Sequence, residues 1–240
     1  MTIVVASQPM FLPWLGLFEQ VRLADVFVHY DDVELPQGAS FSRRVQAKTA
    51  DGPRWLTVPL HRGGSRLIKD VRIDESGDWR ATHLSTLEQA YARAPHVGEM
   101  LQIAKEVYAV DTDRLAELDI ASVEAVAGFF KLETRFVLSS TLGTTTHSSQ
   151  KLIDTVQAVG GDTYVTGHGA LRYLDHEAFE RAGIAVEYMD YRREPYPQLH
   201  GPFTASVTAL DCIANCGAHG AELICSPSIE WKEFLARDGS

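Results

Sequence analysis

The chain is short of what several large classes of protein require. Nowhere among its 240 residues do apolar side chains run together for the roughly 18 positions that a membrane-crossing helix needs, which excludes a transmembrane protein. Met1 to Pro9 carry no basic segment, and their apolar stretch ends within a few residues, so no secretory leader is expected and the chain reads as cytoplasmic. Positive charge is scarce as well. Twenty-two Lys and Arg stand against 32 Asp and Glu, and the resulting net charge of -10 repels a polyanion, which argues against a nucleic-acid partner. Cysteine is limited to Cys212, Cys216 and Cys225, too few and too odd a number for a disulfide framework in a chain of this length. The spacing of the first two puts them on one helical face. Core packing is favoured there over zinc, because only His219 lies near to add a ligand. No metal is expected.

What is present is a core-sized supply of apolar residues, 45% of the chain, arranged in two alternating periods. Thr2 to Ala6 reads as a strand, Trp14 to Leu23 as a helix opened by Pro13, and Val26 to Tyr30 as a second strand stopped by Asp31 and Asp32. Further strands are predicted around Phe41 to Ala47, Trp55 to Leu60 and Lys69 to Ile73, with turns at Asp51-Gly52-Pro53 and Gly63-Gly64. Residues 78–131 follow the helical period almost throughout. Beyond them come strand Arg135 to Leu138, helix Ser149 to Val159, strand Thr163 to Thr166, a helix capped by Asp175 and ended by Gly183, and strand Ile184 to Tyr188. This alternation predicts an α/β fold with a mostly parallel open sheet, flanking helices and an inserted helical subdomain at about 78–131, all within a single domain over residues 1–240.

Ligands of open α/β sheets sit outside the carboxyl ends of the strands, and three loops fall there. Ser7 to Trp14 couples polar Ser7 and Gln8 to two prolines and two aromatics, either a pocket wall or a stiff turn burying Phe11 and Trp14. Asp31 and Asp32 form a carboxylate pair that suits a cation, a hydroxyl-rich ligand or an ammonium group, and one of them suits a general base; a capped, solvated turn would look the same. Gly167-His168-Gly169 frames an imidazole with two permissive residues, as expected of a proton-transfer group beside a ligand. This loop has neither the lysine of a Walker loop nor the third glycine of a dinucleotide fingerprint. Arg43, Arg44 and Lys48 form a basic cluster suited to phosphate or carboxylate, or to an exposed strand edge.

Several ordered motifs carry a resemblance: Gln8-Pro9-Met10-Phe11-Leu12-Pro13-Trp14-Leu15-Gly16, Asp25-Val26-Phe27-Val28 followed by Asp31-Asp32-Val33, Arg44 and Lys48, and Gly52-Pro53-Arg54-Trp55-Leu56-Thr57-Val58-Pro59. Later come Tyr164-Val165-Thr166-Gly167, Tyr173-Leu174, Tyr196-Pro197-Gln198, Phe203, and Asp211 with Asn215 and Gly217. Over nearly its whole length the chain resembles the WbqC-like proteins. Two positions depart from that pattern: Ser7 stands where the family usually has His, and Arg43 where it often has Asn.

The resemblance implies small-molecule biosynthesis, of surface-polysaccharide sugars or natural products. The reading that follows is a transferase forming an amide on an amino sugar or amino-acid-derived metabolite, from an acyl or aminoacyl thioester on a carrier protein or coenzyme A. A thioester can be attacked by an amine directly, so no nucleophilic Ser or Cys is needed. In that reading Asp32 or His168 is the base, and Asp31 orients the substrate. Arg44 and Lys48 hold an anionic group, Gln8, Tyr196 and Gln198 supply neutral hydrogen bonds, and Trp14 lines the pocket. The expected partners are the small-molecule substrate, an acyl carrier protein and a second copy of the chain. The alternatives are a non-catalytic module that binds a sugar nucleotide or a partner enzyme, and a nucleotidyl-group enzyme.

Overall fold

The computed structural model describes residues 1–36 and 41–238. Its centre is a six-stranded sheet with β1 (Ile3–Ser7), β2 (Val26–His29), β5 (Arg135–Leu138), β6 (Thr163–Thr166) and β7 (Ala185–Met189) parallel, and β8 (Ser228–Glu230) antiparallel at the edge. A separate hairpin joins β3 (Arg44–Thr49) to β4 (Gly52–Thr57). The helices are α1 (Leu15–Leu23), α2 (Trp79–Tyr91), α3 (Val97–Tyr108), α4 (Leu115–Phe129), α5 (Ser148–Ala158), α6 (His176–Arg181), α7 (Ala209–Cys216) and α8 (Trp231–Asp238). None of them is long and apolar enough to cross a membrane.

The central strands are apolar because both faces of the sheet are covered. Successive side chains alternate between the faces, so Val5, Phe27 and Val165 enter one core with α1, α2, α3, α4 and α7, while Val4, Val26, Val28, Tyr164, Val186 and Tyr188 enter the other with α5, α6 and α8. Cys212 packs into the first core, and all three cysteines are free.

The order across the sheet is β5-β2-β1-β6-β7-β8. From β1 the chain runs outward through α1 to β2 and on to β5, then returns to the opposite side of β1 for β6, β7 and β8. The direction of winding therefore reverses between β1 and β6, and a crevice opens outside their carboxyl ends.

The sequence expectations need four adjustments. Lys69 to Ile73 is not a strand: Ile68–Asp70 is a turn of 3-10 helix, and Leu60–Ile73 and Arg72–Arg114 meet only as single bridges. Val71 and Ile73 are buried on either side of exposed Arg72, so the segment carries the alternation of a strand without the continuous ladder of one. The hairpin begins at Arg44 rather than Phe41, and Phe41 is exposed. Pro53 lies within β4 rather than in the turn, which is made by Ala50 and Asp51, with Gly52 at φ +102°. After β7 the sequence reading goes no further than placing Cys212 and Cys216 on one helical face, which is α7; the chain adds β8 and α8 beyond it. Buried Glu19 of α1 pins this terminal segment by accepting from the amides of Cys225 and Ser226 and from the Ser226 hydroxyl.

Candidate functional site

A cleft of about 1160 Å³ occupies the crevice at the end of β1, β2 and β6. Its walls come from Ser7 and Gln8 after β1, Tyr30 and Asp32 after β2, the 144–148 segment leading into α5, and Gly167 and Gly169 after β6.

The carboxylate pair is built from the strand ends. Asp31 is buried and fully engaged: the Ser140 amide donates to its Oδ1 at 2.9 Å, the Ser140 hydroxyl to its Oδ2 at 2.7 Å, and Ser139 Oγ lies 3.0 Å from Oδ1. Asp32 faces the cleft. Its Oδ1 lies 2.5 Å from Ser139 Oγ, and its Oδ2 accepts from Lys151 Nζ at 2.8 Å; these side chains are only 13% and 10% exposed. Lys151 also donates to the Asp32 carbonyl at 3.2 Å and stands 5.2 Å from the centre of the Tyr30 ring. Burial, with Asp32 second, raises the pKa of the Tyr30 phenol, and burial raises that of Tyr173, so both remain neutral hydrogen-bonding groups at the cleft wall.

The other wall is the start of α5. Thr144, Thr145, Thr146, His147 and Ser148 line it, and no side chain caps the helix. The first-turn amides of a helix carry partial positive charge, and Lys151 adds a full one in the same turn. Ser148 holds φ +54°, a left-handed conformation unfavourable to a residue with a Cβ.

Of the residues named from sequence, Gln8, Asp31 and Asp32 come together here; Gln8 and Asp32 line the cleft while Asp31 supports it from behind. The other six, Trp14, Arg44, Lys48, His168, Tyr196 and Gln198, are not part of the cleft lining. His168 Nε2 donates to the Met189 carbonyl at 2.8 Å and its ring lies 4.7 Å from Phe234, so it fastens α8 to β7 while its neighbouring glycines line the cleft. Arg44 lies over Trp55 at 4.2 Å on the hairpin. Trp14 packs edge to face on Tyr191 at 5.2 Å.

Lys48, Tyr196 and Gln198 belong to a buried network. Lys48 Nζ donates to Gln198 Oε1 at 3.0 Å and to the carbonyls of Gly201 and Pro202 at 3.2 and 2.6 Å, which occupies all three of its protons. Gln198 also accepts from the Thr204 amide at 2.8 Å and donates to the Thr204 carbonyl at 3.1 Å. Tyr196 and Tyr91 each donate to Asp211 at 2.9 Å. None of these groups has capacity left for a ligand anion.

Replacement of His168 by Ala should therefore cost about 0.5–1.5 kcal/mol of stability, the usual worth of one hydrogen bond, and leave ligand binding at the cleft intact. Urea denaturation and calorimetry on the variant check both; a large loss of binding would return His168 to the site.

Lys151, His147 and the 144–148 hydroxyls were not named from sequence. Their signal is the run Thr144-Thr-Thr-His-Ser-Ser149 at a helix start with a lysine two residues on. Among the described residues no group of His, Cys, Asp and Glu side chains is placed to hold a metal ion.

The chain is 28% identical over 225 residues to Rv1507c, an uncharacterized protein of Mycobacterium tuberculosis (strain ATCC 25618 / H37Rv), covering 92% of this chain and 96% of that one. No solved structure matches it. The model of the WbqC-like protein family matches residues 8–222, nearly the whole chain, and the motifs at Gln8 and Asp31-Asp32 that build the cleft lie inside the match: the chain belongs to the WbqC-like protein family.

Proposed function

We propose that the chain is a small-molecule transferase whose cleft takes a nucleotide-activated donor, with phosphate at the start of α5 and the group to be transferred near Asp32. One observation carries this reading: the uncapped α5 N-terminus, a row of hydroxyls and Lys151 converge on the crevice where the sheet's winding reverses. That place in an open α/β sheet receives phosphate-bearing ligands because helix amides donate to phosphate oxygens. Gln8, Glu34, Tyr30 and Tyr173 supply the polar and aromatic surface that a sugar or base requires.

The amide-forming reaction inferred from the family resemblance stays within this reading when coenzyme A carries the acyl group, since coenzyme A ends in a phosphorylated nucleotide. A donor held only on a carrier protein lacks that end and does not use the cleft fully. With His168 turned away, the groups available for proton transfer at the cleft include Asp32, Glu34 and His147.

Thermal unfolding in the presence of ADP, UDP or coenzyme A tests the proposal. A ligand at 100 times its Kd stabilises the native state by about 2.7 kcal/mol, so at least one of these should raise Tm by several degrees. No shift with any of them at millimolar concentration, together with a shift from an unphosphorylated amine or carboxylate, would overturn it.

A further inference from the structure

The cleft has a neighbour. Residues 33–36 and 65–70 form a shared wall, closed by a bridge between Glu34 and Leu67 and by the Leu35 amide donating to the Arg66 carbonyl at 2.7 Å. On its far side lies a separate cavity of about 760 Å³ whose lining includes Arg62, Arg66 and Arg72.

In a chain of net charge -10, three guanidinium groups around one cavity are a local reversal of sign. The acids nearby cancel it only in part. Arg66 pairs with Glu34 at 3.2 Å and Arg72 with Asp113, and both arginines stay about half exposed, with further N–H groups available. Asp70, the carboxylate of the lining, is answered by Arg114 at 3.7 Å and by the Ser65 hydroxyl at 3.3 Å. Arg62 has no ion pair among the described residues.

The backbone points the same way. Gly63 and Gly64 hold φ +82° and +93°, and a Cβ added at either would meet nothing. Glycine is thus demanded there by the dihedral and not by space. Both amides find no acceptor among the described residues, so two N–H donors lie beside the free Arg62.

We propose that this arginine and glycine loop is a second anion site, distinct from the cleft, that binds a phosphate-class anion through Arg62, the amides of Gly63 and Gly64, and the outer N–H groups of Arg66 and Arg72. Guanidinium forks match phosphate oxygens in pairs, and the cavity has room for more than one phosphate. The anion is either free or the phosphate end of a ligand that reaches across the shared wall.

Isothermal titration of the full chain with inorganic diphosphate tests the site, with the Lys151→Met/Asp32→Asn double variant as the cleft control. Saturable binding should persist in that control, weaken about tenfold or more in Arg62→Ala, weaken less in Arg62→Lys, and fall as salt rises. Arg62 is exposed and has no ion pair among the described residues, so its replacement should leave the far-ultraviolet spectrum and Tm unchanged. ADP run beside diphosphate separates the sources. Equal affinity marks a free anion, whereas tighter ADP binding, weakened by Arg62→Ala in the same ratio, marks the end of a larger ligand; each supports the site. Absence of saturable binding, insensitivity to Arg62→Ala, or loss confined to the cleft variant would overturn it. A cleft that fails to bind nucleotides leaves the Arg62 result standing, so the two proposals fail separately.

Discussion

Lys151→Met should cost about 3–5 kcal/mol of stability and abolish nucleotide binding at the cleft, and adding Asp32→Asn should recover most of the stability and none of the binding. The physical reason is desolvation. Asp32 and Lys151 are 13% and 10% exposed, so removing the ammonium leaves a carboxylate mostly out of water with only the Ser139 hydroxyl to answer it. Breaking a buried pair on one side is expensive, while neutralising both sides is close to neutral. Such a pair contributes little net stability, which is why its presence at the floor of an open cleft argues for use on a ligand. Urea denaturation gives the stabilities and calorimetry the binding. A Lys151→Met protein as stable as the wild type would show that Asp32 is solvated, and a double variant that binds nucleotides normally even when Arg62→Ala is added would remove the pair from the site.

The architecture was legible in the sequence to the extent that burial writes a period into it. Val4 and Val5 point into opposite cores, and Val26, Phe27 and Val28 alternate between them, so these strands had to be apolar on both faces. Short elements whose stability comes from neighbours carried no such mark. β8 is three residues long and pairs only at the edge, and α8 is anchored through Phe234, stacked on Tyr188 at 4.5 Å.

The site was half legible for a different reason. Asp31 and Asp32 are adjacent in sequence, and their position at a strand end is enough to bring them to a cleft. Lys151 is 119 residues from Asp32, and only the parallel order of β2 beside β5, with α5 following, brings them within hydrogen-bond reach. The residues that lie off the cleft share a cause as well. Lys48, Tyr196 and Gln198 are polar residues within family motifs, and a polar residue satisfied inside the fold looks the same in sequence as one waiting for a ligand. Their neighbours Gly201 and Pro202 supply bare carbonyls to Lys48, a geometry that exists only once the loop is folded. At His168 the flanking glycines do line the cleft as their composition suggested, but the imidazole between them turns to the Met189 carbonyl.

Two buried carboxyl groups should dominate how stability varies with pH and should respond to mutation in opposite directions. Asp119 in α4 is fully buried, and both of its oxygens lack a hydrogen-bond partner among the described residues; burial alone raises its pKa well above the ordinary value. Asp211 is buried too, and its pKa is raised mainly by desolvation, but it accepts from Tyr91 and Tyr196. In both cases the folded state holds the proton to higher pH than the unfolded chain does. Stability contributed by the neutral form is therefore fully present below the unfolded value near 3.9 and falls as pH rises toward the folded value, by up to about 1.4 kcal/mol per unit per group. Asp119→Leu removes a polar group that nothing satisfies, so it should raise stability at neutral pH by about 1–3 kcal/mol and flatten the slope. Asp211→Ala strands two buried hydroxyls at about 1–3 kcal/mol each, so it should destabilise even at acid pH, where the wild-type carboxyl is already neutral. Urea denaturation between pH 4 and 8 separates the cases: curves for the wild type and Asp119→Leu that run parallel across this range would mean that Asp119 is not the group that titrates, and an Asp211→Ala protein of unchanged stability would mean that Tyr91 and Tyr196 find other acceptors.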